Sequence, residues 1–86
     1  MTSDALRDTF HFTPTELRLA VALVGSVGQV VTRETLLVEV WGIPERMVEK
    51  MSTRVVDMTV KRVRTKMVSY GKIVSVRGFG YRLEVE

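Results

Sequence analysis

The segment Arg54-Val-Val-Asp-Met-Thr-Val-Lys-Arg-Val-Arg-Thr-Lys66 carries five cations at spacings that suit the binding of a polyanion. At roughly 100° per residue, Val56, Val60, Val63 and Met67 fall within about 60° of one another, a narrow seam to be buried. Arg54, Met58, Lys61, Arg62 and Thr65 lie opposite it, and Val55, Thr59 and Lys66 border that outward side. Asp57 and Arg64 share a flank where they can pair in part, and Asp57 also stands near the positive helix start within i+4 reach of Lys61. Such a helix fits the major groove of duplex DNA, where arginine reaches guanine O6 and N7 with two hydrogen bonds. Arg62, mid-helix and outward, is the expected base reader, with Met58 and Thr59 at thymine methyls or base edges. Arg54, Lys61 and Lys66 are expected on phosphates, which position without specifying. Arg64 keeps two readings, a phosphate contact or an intramolecular pair.

A second basic feature follows Tyr70-Gly71. Lys72-Ile-Val-Ser-Val76 is β-branched, and Tyr81, Leu83 and Val85 alternate with Arg82, Glu84 and Glu86, so a hairpin with one buried face is expected. Gly78 and Gly80 are expected to supply the unusual backbone angles of its turn. Arg77 then stands near the tip, placed for a minor groove where A·T tracts concentrate negative potential.

These two elements need a scaffold, and the preceding residues spell one. Thr13-Pro-Thr-Glu16 reads as a cap, a first-turn proline and a capping box. Leu17, Ala20, Val21, Val24 and Val27 follow as a core stripe, with Gly25 and Gly28 at the end of this first helix. A second helix is expected after Thr32, with Glu34 near its positive end, a core face of Leu36, Leu37, Val40 and Trp41, and a stop at Gly42 and Pro44. Trp41 is a core residue whose indole N–H could also meet a phosphate at the domain edge. Residues 43–52 read as a mixed loop in which Met47, Val48 and Met51 either fold onto the core or form a partner patch. Thr9-Phe-His-Phe12 reads as one short strand. The organisation is thus an N-terminal segment, 1–12, and a winged-helix DNA-binding domain, 13–86. The fold class is α+β, a three-helix winged helix-turn-helix with a C-terminal β-hairpin wing.

Composition bounds the function. A chain of 86 residues with 45% apolar and 27% charged residues makes one globular domain. Residues 1–53 hold five Lys/Arg against seven Asp/Glu, net −2, and residues 54–86 hold eight against three, net +5. Cations gathered in one half mark a polyanion-binding surface. No apolar run reaches the roughly 18 residues of a membrane span, and the opening Met-Thr-Ser-Asp-Ala does not read as a signal peptide. The absence of cysteine removes disulfides and thiolate metal sites and is compatible with a cytoplasmic location. His11, the only histidine, has no carboxylate cluster beside it in sequence, so no catalytic residue, metal site or cofactor is expected. Gly78-Phe-Gly80 lacks the third glycine of a nucleotide fingerprint and lies inside a hairpin.

Thr13-Pro-Thr-Glu-Leu17, Val31-Thr-Arg-Glu-Thr-Leu-Leu37, Val40-Trp-Gly42, Arg54-Val-Val-Asp57, Lys61-Arg-Val-Arg64 and Val76-Arg-Gly-Phe-Gly-Tyr-Arg-Leu83 stand in an order that resembles the DNA-binding effector domain of OmpR/PhoB-type response regulators. The resemblance spans about residues 13–85. It implies three helices, a wing and a small N-terminal antiparallel sheet, with tandem binding to direct repeats of double-stranded DNA and contact with RNA polymerase. By position it makes the third helix the recognition helix. Arg54, Lys61, Arg62 and Arg64 match DNA-contact positions, Arg77 the wing arginine, and Trp41 and Tyr81 positions that can touch phosphates. Within these 86 residues no phosphoacceptor receiver domain is read, the N-terminal sheet is expected to be mostly missing, and the loop between the second and third helices reads as longer than the family's. That loop is a polymerase-contact element in the family, which makes Arg46, Glu49 and Lys50 a candidate partner site. The reading from a different class is a winged-helix protein-interaction module that binds RNA polymerase or another transcription factor with little DNA affinity.

Overall fold

A computed structural model describes residues 3–85 of the chain; Met1, Thr2 and Glu86, the ends of the two expected segments, lie outside them. Its elements in order are α1 (Ser3–Phe10), α2 (Pro14–Val24), β1 (Val30–Thr32), α3 (Arg33–Trp41), α4 (Glu45–Val48), α5 (Arg54–Lys66), β2 (Lys72–Val76) and β3 (Gly80–Glu84). The strands form one antiparallel sheet in the order β1-β3-β2. This is the α+β winged helix-turn-helix: α3 and α5 are the paired helices, α2 packs against both, and the β2–β3 hairpin is the wing.

The helix starts follow their caps. Thr13 Oγ1 accepts from the Glu16 N–H at 3.3 Å while the Thr13 N–H donates to Glu16 Oε1 at 3.0 Å, so the capping box forms. Thr32 Oγ1 accepts from the Thr35 N–H at 3.0 Å and opens α3. Gly42, at φ +69°, closes α3 in the left-handed conformation that glycine adopts without strain.

Four expectations about these elements need correction. Thr9–Phe12 is not a strand, because Leu6 and Phe10 sit one turn apart and are both buried, and Arg7 pairs with Asp4 at 3.2 Å. Those contacts hold α1, and His11 ends it at φ +56°, turning Phe12 into the core. The stripe on α2 is rotated: Leu19, Ala20 and Leu23 are buried, Leu17 and Val24 are partly so, and Val21 and Val27 face solvent. Residues 43–52 are not all loop, since Glu45–Val48 makes one helical turn that buries Val48 and leaves Met47 and Met51 outside. Gly80 does not have a positive φ; it is needed because a Cβ there would lie 2.0 Å from the Val31 carbonyl oxygen, where β1 crosses close against β3. Gly78, at φ +83°, does supply the turn.

Val56, Val60, Val63 and Met67 are buried, as the helical spacing requires. Ile73, Tyr81 and Leu83 cover the same core from the sheet.

Candidate nucleic-acid interface

The burial of one face of α5 decides what the other can do. With the valine seam inward, Arg54, Val55, Met58, Lys61, Arg62 and Thr65 are exposed. Arg62 lines two grooves. One runs along the outside of α5 past Met58, Lys61, Thr65 and Lys66. The other opens toward the start of α2 and the end of α3, past Thr13, Thr15, Trp41, Val55 and Thr59. Trp41 is half-buried against the core and also edges this second groove. An arginine between two open grooves has free reach toward a ligand on either side.

Intramolecular pairing sorts the expected site residues. Arg54, Lys61, Arg62 and Arg77 are exposed, and among the described residues none has an ion pair. Four others are committed to the protein itself. Arg64 donates from Nε to the Ile73 carbonyl and from Nη2 to Ser75 Oγ, both at 3.1 Å, which fastens α5 to β2 rather than to Asp57. Lys66 Nζ lies 2.6 Å from Glu16 Oε1 and 3.3 Å from the His11 carbonyl. Thr59 is buried and its hydroxyl donates to the Val55 carbonyl at 2.8 Å, so it is not at a base edge. Tyr81 is buried and its hydroxyl donates to Asp57, not toward a phosphate.

Asp57 gathers two elements onto α5. Besides Tyr81 of β3, it accepts from Arg33 Nε at 2.8 Å, and the Arg33 guanidinium stacks 4.7 Å from the centroid of the Tyr81 ring. Burial pushes the Asp57 carboxyl up, but the hydrogen bonds from Tyr81 and Arg33 outweigh it and hold the group below its usual range. Burial, followed by the Asp57 carboxylate, pushes the Tyr81 phenol up. Glu16 shows the same balance as Asp57: burial raises it, and Lys66 with the Thr13 N–H brings it below its usual value.

Sequence reasoning missed Arg33. Its signal was the spacing from Thr32 to Glu34 at a helix start, which says nothing of a partner 24 residues away. It also passed over the ring of Phe79 in the wing turn, 65% exposed beside Arg77.

Comparison with known proteins agrees with this geometry. The family described as "Transcriptional regulatory protein, C terminal" matches residues 7–83. The transcriptional regulatory protein CseB of Streptomyces coelicolor is 43% identical over 72 residues, covering 84% of this chain and 29% of CseB. The response regulator ArlR of Staphylococcus haemolyticus is 38% identical over 77 residues, 86% of this chain and 33% of ArlR. The chain thus spans about a third of the length of the curated relatives it matches. Among solved structures, the DNA-binding domain of Bacillus subtilis CssR superposes with a TM-score of 0.73 at 34% identity, covering 86% of this chain and 78% of that one. The DNA-binding domain of the response regulator AdeR, in complex with an intercistronic region, gives 0.70 at 26% identity over 85% and 71%. With helices, wing and sheet order in place and the family matched over nearly the whole chain, this protein belongs to the transcriptional regulatory C-terminal family, the OmpR/PhoB-type winged-helix effector domains.

Proposed function

We propose that this chain binds double-stranded DNA sequence-specifically and regulates transcription, with α5 in the major groove and Arg77 in the adjacent minor groove. The observation that carries this reading is the sorted basic surface. α5 buries an apolar seam and turns Arg54, Lys61 and Arg62 outward, beside a wing whose turn carries Arg77, and among the described residues none of the four has an ion pair. Arg62 reads a base edge, Met58 and Val55 supply apolar contacts, and Arg54 and Lys61 hold phosphates. Trp41, at the rim of the second groove, is placed for a backbone contact. The structures of AdeR with an intercistronic region and of Klebsiella pneumoniae RstA with the RstA box support duplex DNA as the ligand.

The same reading gives RNA polymerase as a second partner. Arg46, Glu49 and Lys50, on and just after α4, are exposed, and Glu49 joins Glu34, Glu39 and Glu45 around a groove with Val38 and Val48 on its floor. Acidic walls over an apolar floor suit a basic protein surface rather than DNA. Two copies on direct repeats and a cytoplasmic location complete the proposal; among the described residues no helix is long and apolar enough to cross a membrane.

Selection of bound fragments from random duplex DNA at two salt concentrations tests the reading. An enriched motif, with repeats about 10–11 base pairs apart when two copies bind, is the expected result. Stoichiometric polymerase binding with no enriched motif would instead make the chain a protein-interaction module.

A further inference from the structure

The wing turn presents a group that neither the fold nor the basic surface uses. Phe79 is 65% exposed and takes no part in the core or in a ring contact among the described residues. Its backbone, by contrast, is held on both sides. The Phe79 N–H donates to the Val76 carbonyl at 3.0 Å, and the Phe79 carbonyl accepts from the Arg33 N–H at 3.4 Å. Arg33 in turn reaches Asp57 of α5 with its side chain. The ring therefore projects from a turn braced against α3 and, through Arg33, against the helix proposed for the major groove.

We infer that Phe79 is a minor-groove wedge that makes binding depend on how easily the base step beneath the wing deforms. This rests on the DNA-binding reading above and adds a residue and a specificity to it. Arg77, two positions away on the same turn, supplies the cation that a narrow minor groove attracts. The groove's walls are deoxyribose C–H groups and base edges, which give an apolar ring a surface to cover. Apolar side chains that enter this groove partly unstack a step and bend the duplex toward the major groove. A wedge must not recoil when it presses on the stack, and the two backbone hydrogen bonds meet that need. Pyrimidine–purine steps unstack most easily, so TpA under the wing is favoured over ApA or GpC.

The test uses the whole chain and a duplex enriched by the wild type from random DNA, with the wing-side step set to TpA, ApA or GpC. Dissociation constants and the end-to-end distance of a dye-labelled duplex are measured for the wild type, Phe79→Ala, Phe79→Leu and Arg77→Ala. The wild type is expected to prefer TpA about fivefold and to bend the duplex. Phe79→Ala is expected to bind the TpA duplex about tenfold more weakly, to lose the preference and to leave the duplex straighter, with Phe79→Leu between the two. Arg77→Ala is expected to weaken all three duplexes. Wild-type affinity and bending in Phe79→Ala would overturn the inference, as would a defect confined to binding of a second copy, which would make the ring a contact between neighbours. A wild type that enriches no duplex would instead sink the DNA-binding reading itself. Urea unfolding of Phe79→Ala separates these outcomes from misfolding, since an exposed ring contributes little to the core.

Discussion

Removing one hydroxyl isolates the Asp57–Arg33–Tyr81 unit, which with Arg64 joins the wing to α5. Tyr81→Phe keeps the ring under the Arg33 guanidinium and deletes only the hydrogen bond to Asp57. A hydrogen bond to a charged group contributes about 1.5–3 kcal/mol net. The Asp57 side chain is 46% exposed and retains Arg33 at 2.8 Å, so water replaces part of the lost donor and a cost of about 1 kcal/mol at pH 7 is expected. Asp57→Ala leaves the buried Tyr81 hydroxyl without its acceptor and Arg33 without its partner, for about 2–3 kcal/mol. Urea unfolding of both single variants and the double variant closes the cycle, with an expected coupling of about 1 kcal/mol. The folded Asp57 carboxyl titrates below its ordinary 3.8, so its contribution is present above that pH and is lost as pH falls through the folded value. The folded Tyr81 phenol titrates above 10.0, so its part is present below that pH and is lost as pH rises through the folded value. Single-variant costs that simply add at pH 7, within about 0.3 kcal/mol, would refute the unit.

Arg62→Ala is expected to weaken binding to the selected duplex by about 1–3 kcal/mol and to relax specificity at one base pair, read by competition with single-base variants of the site. Glu16→Gln removes the charge from a buried carboxylate 2.6 Å from Lys66, and about 1–3 kcal/mol of stability should go at pH 7. Because the folded Glu16 titrates below its ordinary 4.5, that difference should shrink as pH falls below that value, measured by urea unfolding across pH 3–7. Gly80→Ala drives a Cβ to 2.0 Å from the Val31 carbonyl, so β1 must leave β3 at a cost of about 3 kcal/mol, seen as a lower thermal midpoint and faster amide exchange at Val31.

What could be read from the residues alone followed from local rules. The caps at Thr13 and Thr32, the stop at Gly42 and the α5 seam all depend on neighbours within one or two turns. The errors came where distant groups decide. Two faces of α2 were available to its many apolar residues, and packing against α3 and α5 chose the one with Leu19 and Leu23. β1 is three residues long and exists through its pairing with β3, so Val30-Val31-Thr32 alone carried too little pattern to announce it. The glycine at position 80 recorded that crossing, although it reads equally as a turn glycine. α1 could have been found from Leu6 and Phe10 four residues apart. At the site, outward cations were legible from the helical wheel, but their partners were not. Lys66 meets a carboxylate 50 residues earlier, and Asp57 meets donors 24 residues away on both sides.

That sorting bears on how salt should act on the complex. Counting every cation on α5 and the wing tip as if it neutralised a phosphate, the base reader Arg62 and the minor-groove Arg77 included, gives an upper count of six: Arg54, Lys61, Arg62, Arg64, Lys66 and Arg77. Each contact that releases a counterion adds about 0.9 to the slope of log K against log salt, so six would give a slope of about −5.4. Among the described residues four of them have no ion pair, whereas Arg64 is held by Ile73 and Ser75 and Lys66 by Glu16. These four groups together would supply a slope of about −3.6 per copy. Lys61→Ala should flatten it by about one unit, whereas Lys66→Ala should leave the slope unchanged and lower stability instead. Titrating the selected duplex across a salt series, with one copy bound, measures both. A steeper slope that flattens in Lys66→Ala would mean that the Glu16 pair opens on binding and that Lys66 exchanges an internal carboxylate for a phosphate.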